Sequence, residues 1–327
     1  MKFRYILAAA ALFSFVACNE QEVFEKEQYK NIFGFVCESD NTKEKIVSLH
    51  LEEATTYVSI SMGGSNTISQ DVTINFEEDL SLIDDYNASN FDTDVSKYTI
   101  ALPEDHYTIE NYSCTIKAGE RLGVIPVKVK PNGLSVDETY FIPLRVTDYN
   151  NAEMDPEKGT VLFQVGIKNH WAQSTGTAYT MLGRRQTGTS AEIQMPGTKY
   201  VYPYSYNEVR LFPGNETYST EHHTMEQKGM IVEIGEDDDA DKIRPVKIKA
   251  YKDLDVEMVE PTDEKYDDAY PNTYSIIDDG YNVYKTFLLQ YYYVMNGTKY
   301  HMKEEVRVEY KEDKDVDEGF EVIEYEE

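Results

Sequence analysis

The sequence is poor in basic residues, in cysteine and in tryptophan. Its 327 residues hold 31 Lys and Arg against 60 Asp and Glu, which gives a formal net charge of −29. A field of this sign repels phosphate backbones, so the composition argues against nucleic acid as a partner. The three cysteines include no C-x-x-C pair, which excludes a cysteine-rich zinc site.

Common catalytic and nucleotide-binding motifs are also missing. The chain has no G-x-S-x-G, H-E-x-x-H, G-x-x-x-x-G-K-[ST] or G-x-G-x-x-G motif. We therefore expect a protein that is not an enzyme and has no catalytic residues. A glycoside hydrolase stays open as an alternative, because it needs only two suitably spaced carboxylates and the many acidic residues single out no pair.

Long hydrophobic runs are lacking except at the start of the chain. Lys2 and Arg4 precede an apolar run over 5–16, which Ala17 and Cys18 follow. This layout is typical of a secretory signal peptide, and the run is too short for a transmembrane helix. We predict a signal peptide over 1–17, and a small residue before Cys resembles the bacterial lipoprotein cleavage site. Cys18 would then carry the lipid and 18–30 would form a flexible acidic tether; an ordinary signal with an incidental Cys is the alternative.

What the sequence does contain predicts an all-β protein. Hydrophobic residues make up 41% of the chain, enough for a core, and 27 Tyr stand against 13 Phe and one Trp. From residue 31 onward, short runs of β-branched and aromatic residues alternate with turn residues. This spacing predicts an immunoglobulin-like β-sandwich over 31–168, with one short helical segment at 77–87. Cys37 and Cys114 lie in predicted strands, and the sequence leaves open whether they form a disulfide.

The second half, 171–313, predicts another antiparallel β-sandwich or a barrel, followed by an acidic tail over 314–327. The pair Asn296-Gly297 between two β runs favours a type I′ hairpin. Its register places Tyr293 opposite Tyr300, Tyr291 opposite Met302 and Phe287 opposite Val306 on one apolar face, which we expect in the core. The opposite face carries Tyr292 with His301, Gln290 with Lys303 and Thr286 with Arg307, and we expect it to face solvent or to belong to a binding surface.

Tyrosines crowd this second half, and they are the best candidates for a binding site. Sugars present apolar C–H faces and a rim of hydroxyls, so aromatic side chains flanked by carboxylates, amides and Arg suit them. Two stretches, 200–210 and 266–281, offer this mixture. The predicted glycan-binding residues are Trp171, Tyr204, Tyr206, Arg210, Tyr270, Asn272, Tyr274, Asp279 and Tyr281. The alternative is that these tyrosines are ordinary half-buried strand residues.

No cofactor is expected, although one acidic run offers oxygen ligands. The run EDDDAD at 236–241 includes Asp237, Asp238 and Asp239 and lies in a predicted hairpin loop. Calcium prefers such oxygens. The run lacks the D-x-[DN]-x-[DN]-G pattern, so a flexible acidic loop is the alternative that we favour.

Several phrases of the first half resemble a known family. They are SLIDDYN, KYTIALPEDHYTI, CTIKAGERLGVIPVKV and TYFIPLRVTD. They resemble the N-terminal domain shared by many Bacteroides glycan-utilisation lipoproteins, over about 31–168. The second half resembles, more loosely, the β-rich C-terminal domain that often accompanies it.

The resemblance implies a function and a location. Such a protein is a non-catalytic lipoprotein of the outer membrane, facing the cell exterior, with a lipid anchor in the membrane. It binds a polysaccharide or oligosaccharide and helps to deliver it to an outer-membrane transporter complex of the starch-utilisation type. An adhesive or scaffold envelope protein that acts through strand edges is the alternative.

Overall fold

The computed structural model describes residues 29–236 and 243–310. The predicted signal peptide, Cys18, residues 18–28 of the tether, Asp237 to Asp239 and the predicted tail over 314–327 lie outside the described residues. Within the described ranges, no helix is long and apolar enough to cross a membrane.

The prediction of an all-β protein is confirmed, and the first half of the chain is a sandwich of two sheets. The first sheet has the strand order β10-β1-β3-β8-β6, and the second has the order β2-β11-β9-β4-β7 with β5 paired to β9. These strands are β1 Ile32–Phe35, β2 Thr42–Ser48, β3 Ala54–Met62, β4 Val72–Glu78, β5 Ile100–Ala101, β6 Tyr107–Thr108, β7 Ser113–Ile116, β8 Leu122–Val129, β9 Tyr140–Tyr149, β10 Glu153–Met154 and β11 Thr160–Lys168.

The core of this sandwich follows from alternation along the strands. In β4, Val72, Ile74 and Phe76 are buried between the sheets while the residues between them point outward. The same core extends from Phe33 to Ile167. Cys37 and Cys114 are free thiols in this structure.

Helix α1, Ser81–Phe91, begins four residues later than the predicted segment. Strand β4 continues to Glu78, and Asp79 then accepts hydrogen bonds from the backbone N and the hydroxyl of Ser81, at 3.0 and 2.6 Å. These bonds hold the chain where the strand ends and the helix starts. A second short helix, α2 His222–Lys228, lies in the second half.

The second half is an antiparallel barrel. Its strands are β12 Thr177–Thr187, β13 Ile193–Ser205, β14 Glu208–Leu211, β15 Met230–Ile234, β16 Arg244–Ala250, β17 Val256–Met258, β18 Thr273–Asp278, β19 Val283–Met295 and β20 Thr298–Glu309. The order β19-β18-β16-β15-β14-β13-β12-β20 closes because β19 also pairs with β20. The short strand β17 pairs with the later part of β19, on the same edge that β18 occupies near the start of β19. Of the two architectures predicted for this half, the structure therefore selects the barrel, whose closure removes free sheet edges.

The predicted β19–β20 hairpin has the expected register. Met295 pairs with Thr298 and Tyr293 with Tyr300, and Asn296 and Gly297 have φ values of 52° and 74°, as a type I′ turn requires. Five of the six residues predicted for the apolar face are buried and line the barrel interior: Phe287, Tyr291, Tyr293, Met302 and Val306. The sixth, Tyr300, is only partly buried and packs against the same core.

The prediction that the opposite face of this hairpin is exposed is wrong for most of its members. Thr286, Gln290, His301 and Lys303 are buried. The segment 259–272 contacts this face, and Lys303 Nζ donates to the Asp267 carboxylate at 2.9 Å. Gln290 donates to the carbonyls of Asp267 and Tyr270, at 3.0 and 2.8 Å. The hydroxyl of Tyr292 donates to Asp263 at 3.1 Å, so the same segment supplies hydrogen-bond partners to Gln290 and Tyr292.

A buried ion pair lies inside the barrel. Lys199 Nζ donates to both carboxylate oxygens of Glu304, at 2.6 and 2.5 Å, and Tyr291 donates to the same carboxylate at 2.9 Å. Both charged side chains are almost fully buried. Burial lowers the pKa of Lys199 and raises the pKa of Glu304, and each partner opposes the shift of the other.

The two halves meet through a second buried pair. Arg210 of β14 donates to both carboxylate oxygens of Asp137, which precedes β9 of the sandwich. The Tyr251 hydroxyl also donates to Asp137, at 3.1 Å, and the guanidinium lies 4.8 Å from the centre of the Tyr251 ring.

Candidate functional site

Two of the predicted glycan-binding aromatics are core residues. Trp171 and Tyr274 are each 3% exposed, and their rings pack edge to face at 5.6 Å. Tyr274 occupies an inward position of β18, and Trp171 lies close behind β11, where the barrel core begins. The expectation that they form a surface for sugars is therefore wrong.

Asn272 and Tyr270 help to hold the segment that covers the hairpin. Asn272 has a φ of 56° and is buried; its side-chain oxygen accepts from the backbone N of Gln290, and its amide nitrogen donates to Val259 O. Because these bonds use the Asn272 side chain, we correct its assignment to a structural one. Tyr270 is partly exposed, and its carbonyl accepts from Gln290.

Arg210 is 1% exposed and is engaged by Asp137, so its predicted role in binding glycan is also wrong. The sequence could not show this, since the partner lies 73 residues away in the other domain.

Asp279 and Tyr281 lie in the turn between β18 and β19. The Asp279 carboxylate accepts from the backbone N atoms of Tyr281 and Asn282, both at 2.9 Å, so it stabilises the turn. Tyr281 is 93% exposed at its tip. The ring is available to a ligand, but it lies on a different hairpin from Tyr204 and Tyr206.

Tyr204 and Tyr206 are exposed at the end of β13. The Tyr204 ring packs edge-on against Tyr251 at 5.7 Å. The Tyr206 ring lies 6.1 Å from His50, a residue of the sandwich. The strand therefore carries exposed aromatics up to the junction between the two halves.

The exposed side of β13 continues as a row of tyrosines. Val201 and Pro203 point inward, whereas Tyr200, Tyr202 and Tyr204 point outward, as strand alternation requires. Tyr200 is 47% exposed and Tyr204 is 41% exposed. Tyr202 is half-buried and stacks on Tyr218, with ring centroids 4.1 Å apart and planes within 14°.

A cavity of about 160 Å³, which we call the rim cavity, adjoins this row. It is lined by Thr198, Lys199, Tyr200, Phe212, Gly214, Asn215, Glu216, Thr217 and Tyr218. The loop that follows β14 supplies most of these residues. Its Gly214 has a φ of 53° and donates its backbone N–H to Tyr291 inside the barrel, at 2.9 Å, which fixes the loop against the barrel interior.

The chemistry of the rim cavity suits a neutral hydroxylated ligand. Asn215 and Thr217 are exposed donors and acceptors, and the Glu216 carboxylate is balanced by Lys228 at 2.7 Å. Burial raises the pKa of Tyr218 to about 12, which keeps its phenol protonated at neutral pH. The volume equals roughly five waters at about 30 Å³ each, the size class of one sugar ring rather than of a drug-sized molecule.

Sequence reasoning named the stretch 200–210 but missed the loop that completes the cavity. Asn215, Glu216 and Thr217 carry no motif, and only the folded loop brings them to Tyr200. Within residues 29–236 and 243–310, no three His, Cys, Asp or Glu side chains are grouped so that they could hold a metal ion. The predicted calcium option at Asp237 to Asp239 lies outside these ranges.

Comparison with known proteins matches two family models to the chain, and the second begins before β11, a strand that belongs to the sandwich in the structure. A family model described as an N-terminal domain matches residues 24–153, and one described as a C-terminal domain matches residues 159–307. No curated protein matches the chain.

Solved structures from Bacteroides share the whole two-domain fold. An auxiliary nutrient binding protein from Bacteroides thetaiotaomicron has a TM-score of 0.57 at 14% identity, with 82% of this chain and 91% of that chain covered. A protein of unknown function from Bacteroides ovatus has a TM-score of 0.60 at 16% identity, with 88% and 93% covered. The chain is thus similar in architecture to two-domain Bacteroides proteins.

Proposed function

We propose that the protein is a non-catalytic glycan-binding lipoprotein of the outer membrane. It binds a polysaccharide or oligosaccharide at the barrel and helps to deliver it to a transporter complex. The similar fold of a Bacteroides protein described as an auxiliary nutrient binding protein supports this proposal. The resemblance of the first half to glycan-utilisation lipoproteins supports it as well.

The observation that carries the proposal is the rim cavity beside the exposed Tyr200 and Tyr204. An aromatic ring provides a flat apolar surface for the C–H face of a sugar, and the neighbouring amide and hydroxyl groups can pair with sugar hydroxyls. Tyr202 is held rigidly by its stack with Tyr218, so that part of the surface is preorganised. A chain end or branch could place one sugar in the cavity while the adjacent sugars lie along the row of tyrosines.

The sequence of the first thirty residues is the basis for the lipid anchor and the outer-membrane location in this proposal. Lipid on Cys18 would hold the acidic body at the membrane, since each buried methylene of an acyl chain contributes about 0.8 kcal/mol. Metabolic labelling with a fatty acid tests this part. Label on the wild type but not on Cys18→Ser is expected, and label on both would contradict it.

The test of binding is native affinity electrophoresis of residues 19–327 through gels that contain plant, fungal or host polysaccharides. Reducing ends are assayed in parallel. Retardation by one glycan class without new reducing ends is the expected result. Retardation by none would favour the adhesive or scaffold alternative, and release of reducing ends would favour a glycoside hydrolase.

A further inference from the structure

A second cavity opens on the sandwich, far in sequence from the rim cavity. It has a volume of about 630 Å³ and lies between the end of β4 and the segment 104–112. We call it the sandwich cleft. It is lined by Phe76, Glu77, Glu78, Glu104, Tyr107, Thr108, Ile109 and Tyr112. Its size falls within the range of about 300–1,000 Å³ that is usual for small-molecule sites.

The aromatic wall of the cleft is fixed by hydrogen bonds. Tyr107 donates to one oxygen of Glu78 at 2.7 Å, and Tyr112 donates to the other oxygen. The rings of Phe76 and Tyr112 lie 5.7 Å apart at an angle of 49°, and Tyr112 is 37% exposed. One carboxylate therefore holds two phenols in place, and their rings form a preorganised apolar surface.

The charge of the cleft is of one sign. The residues that line it include three acidic ones, Glu77, Glu78 and Glu104, and none of the described lining residues is basic. Burial, assisted by the Glu78 carboxylate, raises the pKa of Tyr107 and Tyr112, so both phenols stay protonated at neutral pH. Both phenol hydroxyls donate their hydrogen bonds to the Glu78 carboxylate. The cleft thus combines aromatic rings with more hydrogen-bond acceptors than free hydrogen-bond donors.

We propose that the sandwich cleft binds a saccharide unit that carries a free amine. Its ammonium group would pair with the carboxylates and lie against an aromatic face, the arrangement that attracts cations. The sugar hydroxyls would donate to the remaining carboxylate oxygens, and the C–H face would pack on Tyr112. An acidic sugar would be repelled, and an N-acetylated sugar would lose the charge that the cleft selects.

This inference does not rest on the proposed function of the barrel, because the two cavities share no residue. A protein could bind an amino sugar at the sandwich and no glycan at the barrel, or the reverse. Substitutions at one cavity are expected to leave binding at the other unchanged.

The experiment compares three β1,4-linked disaccharides that differ only at C2: the glucosamine form, its N-acetylated form and cellobiose. Calorimetric titration of residues 19–327 is expected to give affinity for the glucosamine form at least about tenfold above that for the other two, a difference of about 1.4 kcal/mol. Added salt should weaken the binding, because it screens the carboxylates.

Variants locate the site. Tyr112→Ala and Glu104→Gln are each expected to reduce the affinity about tenfold or more. Glu110→Gln is the matched control, since Glu110 is exposed nearby but pairs with Lys128 outside the cleft lining. Tyr200→Ala should leave this binding intact.

Three results would overturn the proposal. Equal affinity for the three disaccharides would remove the role of the amine. Unchanged binding by both cleft variants would place the interaction on the general acidic surface. No heat change with the glucosamine form at millimolar concentration would show that the cleft does not bind it.

Discussion

Arg210 of the barrel and Asp137 of the sandwich form a two-point ion pair that is buried on both sides. Their side chains are 1% and 9% exposed, and Arg210 Nη1 lies 2.7 Å from Asp137 Oδ2. Tyr251 hydrogen-bonds the same carboxylate. The pair connects the loop before β9 of the sandwich with strand β14 of the barrel. The two domains are therefore joined by side-chain contacts as well as by the chain between them.

Removal of one partner should destabilise the protein strongly. Asp137→Ala leaves the Arg210 guanidinium buried without its carboxylate, which is expected to lower the free energy of unfolding by about 3–5 kcal/mol. Urea unfolding followed by circular dichroism measures this. Asp148→Ala, an exposed position on β9, is the control and should change little. Equal small losses for both variants would show that the pair is not a structural link.

The same pair predicts a pH dependence. Burial would raise the pKa of Asp137, but the hydrogen bonds and charge of Arg210 outweigh burial and hold that pKa below its usual value. A carboxylate with a lowered pKa stabilises the fold at pH values above its unfolded pKa of about 3.9, and that stabilisation is lost as the pH falls through the lower, folded value.

The difference in unfolding free energy between wild type and Asp137→Ala should therefore be constant from about pH 7 to about pH 5 and shrink below about pH 4. Unfolding curves at several pH values measure it. A difference that is already lost at pH 6 would mean that another group controls the effect.

We expect strong energetic coupling between Lys199 and Glu304, the ion pair inside the barrel. Lys199→Met alone leaves the Glu304 carboxyl buried with only Tyr291 as a partner, and a loss of about 3–5 kcal/mol is expected. Lys199→Met combined with Glu304→Leu removes both charges and should cost clearly less than the sum of the two single substitutions. A double-mutant cycle by urea unfolding tests this, and additive losses would contradict it.

Substitution of Gly214 should affect both the stability of the protein and glycan binding, because Gly214 lies in the loop that lines the rim cavity. Its φ of 53° disfavours a side chain, and an added Cβ would lie 3.0 Å from Tyr293 Oη. Gly280→Ala is the matched control, because Gly280 has a φ of 85° but no atom within 4 Å of an added Cβ. Both variants should lose about 1–2 kcal/mol from the backbone term. Only Gly214→Ala should lose more unfolding free energy than this and weaken the retention of glycan. Equal losses of unfolding free energy in the two variants would show that the contact of the added Cβ with Tyr293 is unimportant.

Local patterns predicted much of the fold. Alternation in β4 and the Asn296-Gly297 turn were sufficient to predict buried faces and a register, because both are properties of neighbouring residues. Closure of the barrel and the burial of Gln290 depend on which segments meet in space. No pattern in the sequence indicates that the segment 259–272 covers the β19–β20 hairpin.

The site was less predictable than the fold. Tyr274 and Tyr204 look alike in sequence, and only the direction in which each points from its strand makes one a core residue and the other an exposed one. The loop residues of the rim cavity and the lining of the sandwich cleft come from separated segments of the chain. Composition could indicate a binding surface rich in tyrosine, but not its members.

We propose that the barrel binds glycan at the rim cavity and the row of tyrosines. The direct measurement is the dissociation constant of the retained glycan for wild type, Tyr200→Ala and Tyr204→Ala, with Tyr57→Ala as control, an exposed tyrosine of the sandwich. We predict about tenfold weaker binding or more for Tyr200→Ala, a similar or smaller loss for Tyr204→Ala and no change for the control. Wild-type affinity in both barrel variants, at unchanged thermal stability, would contradict the account.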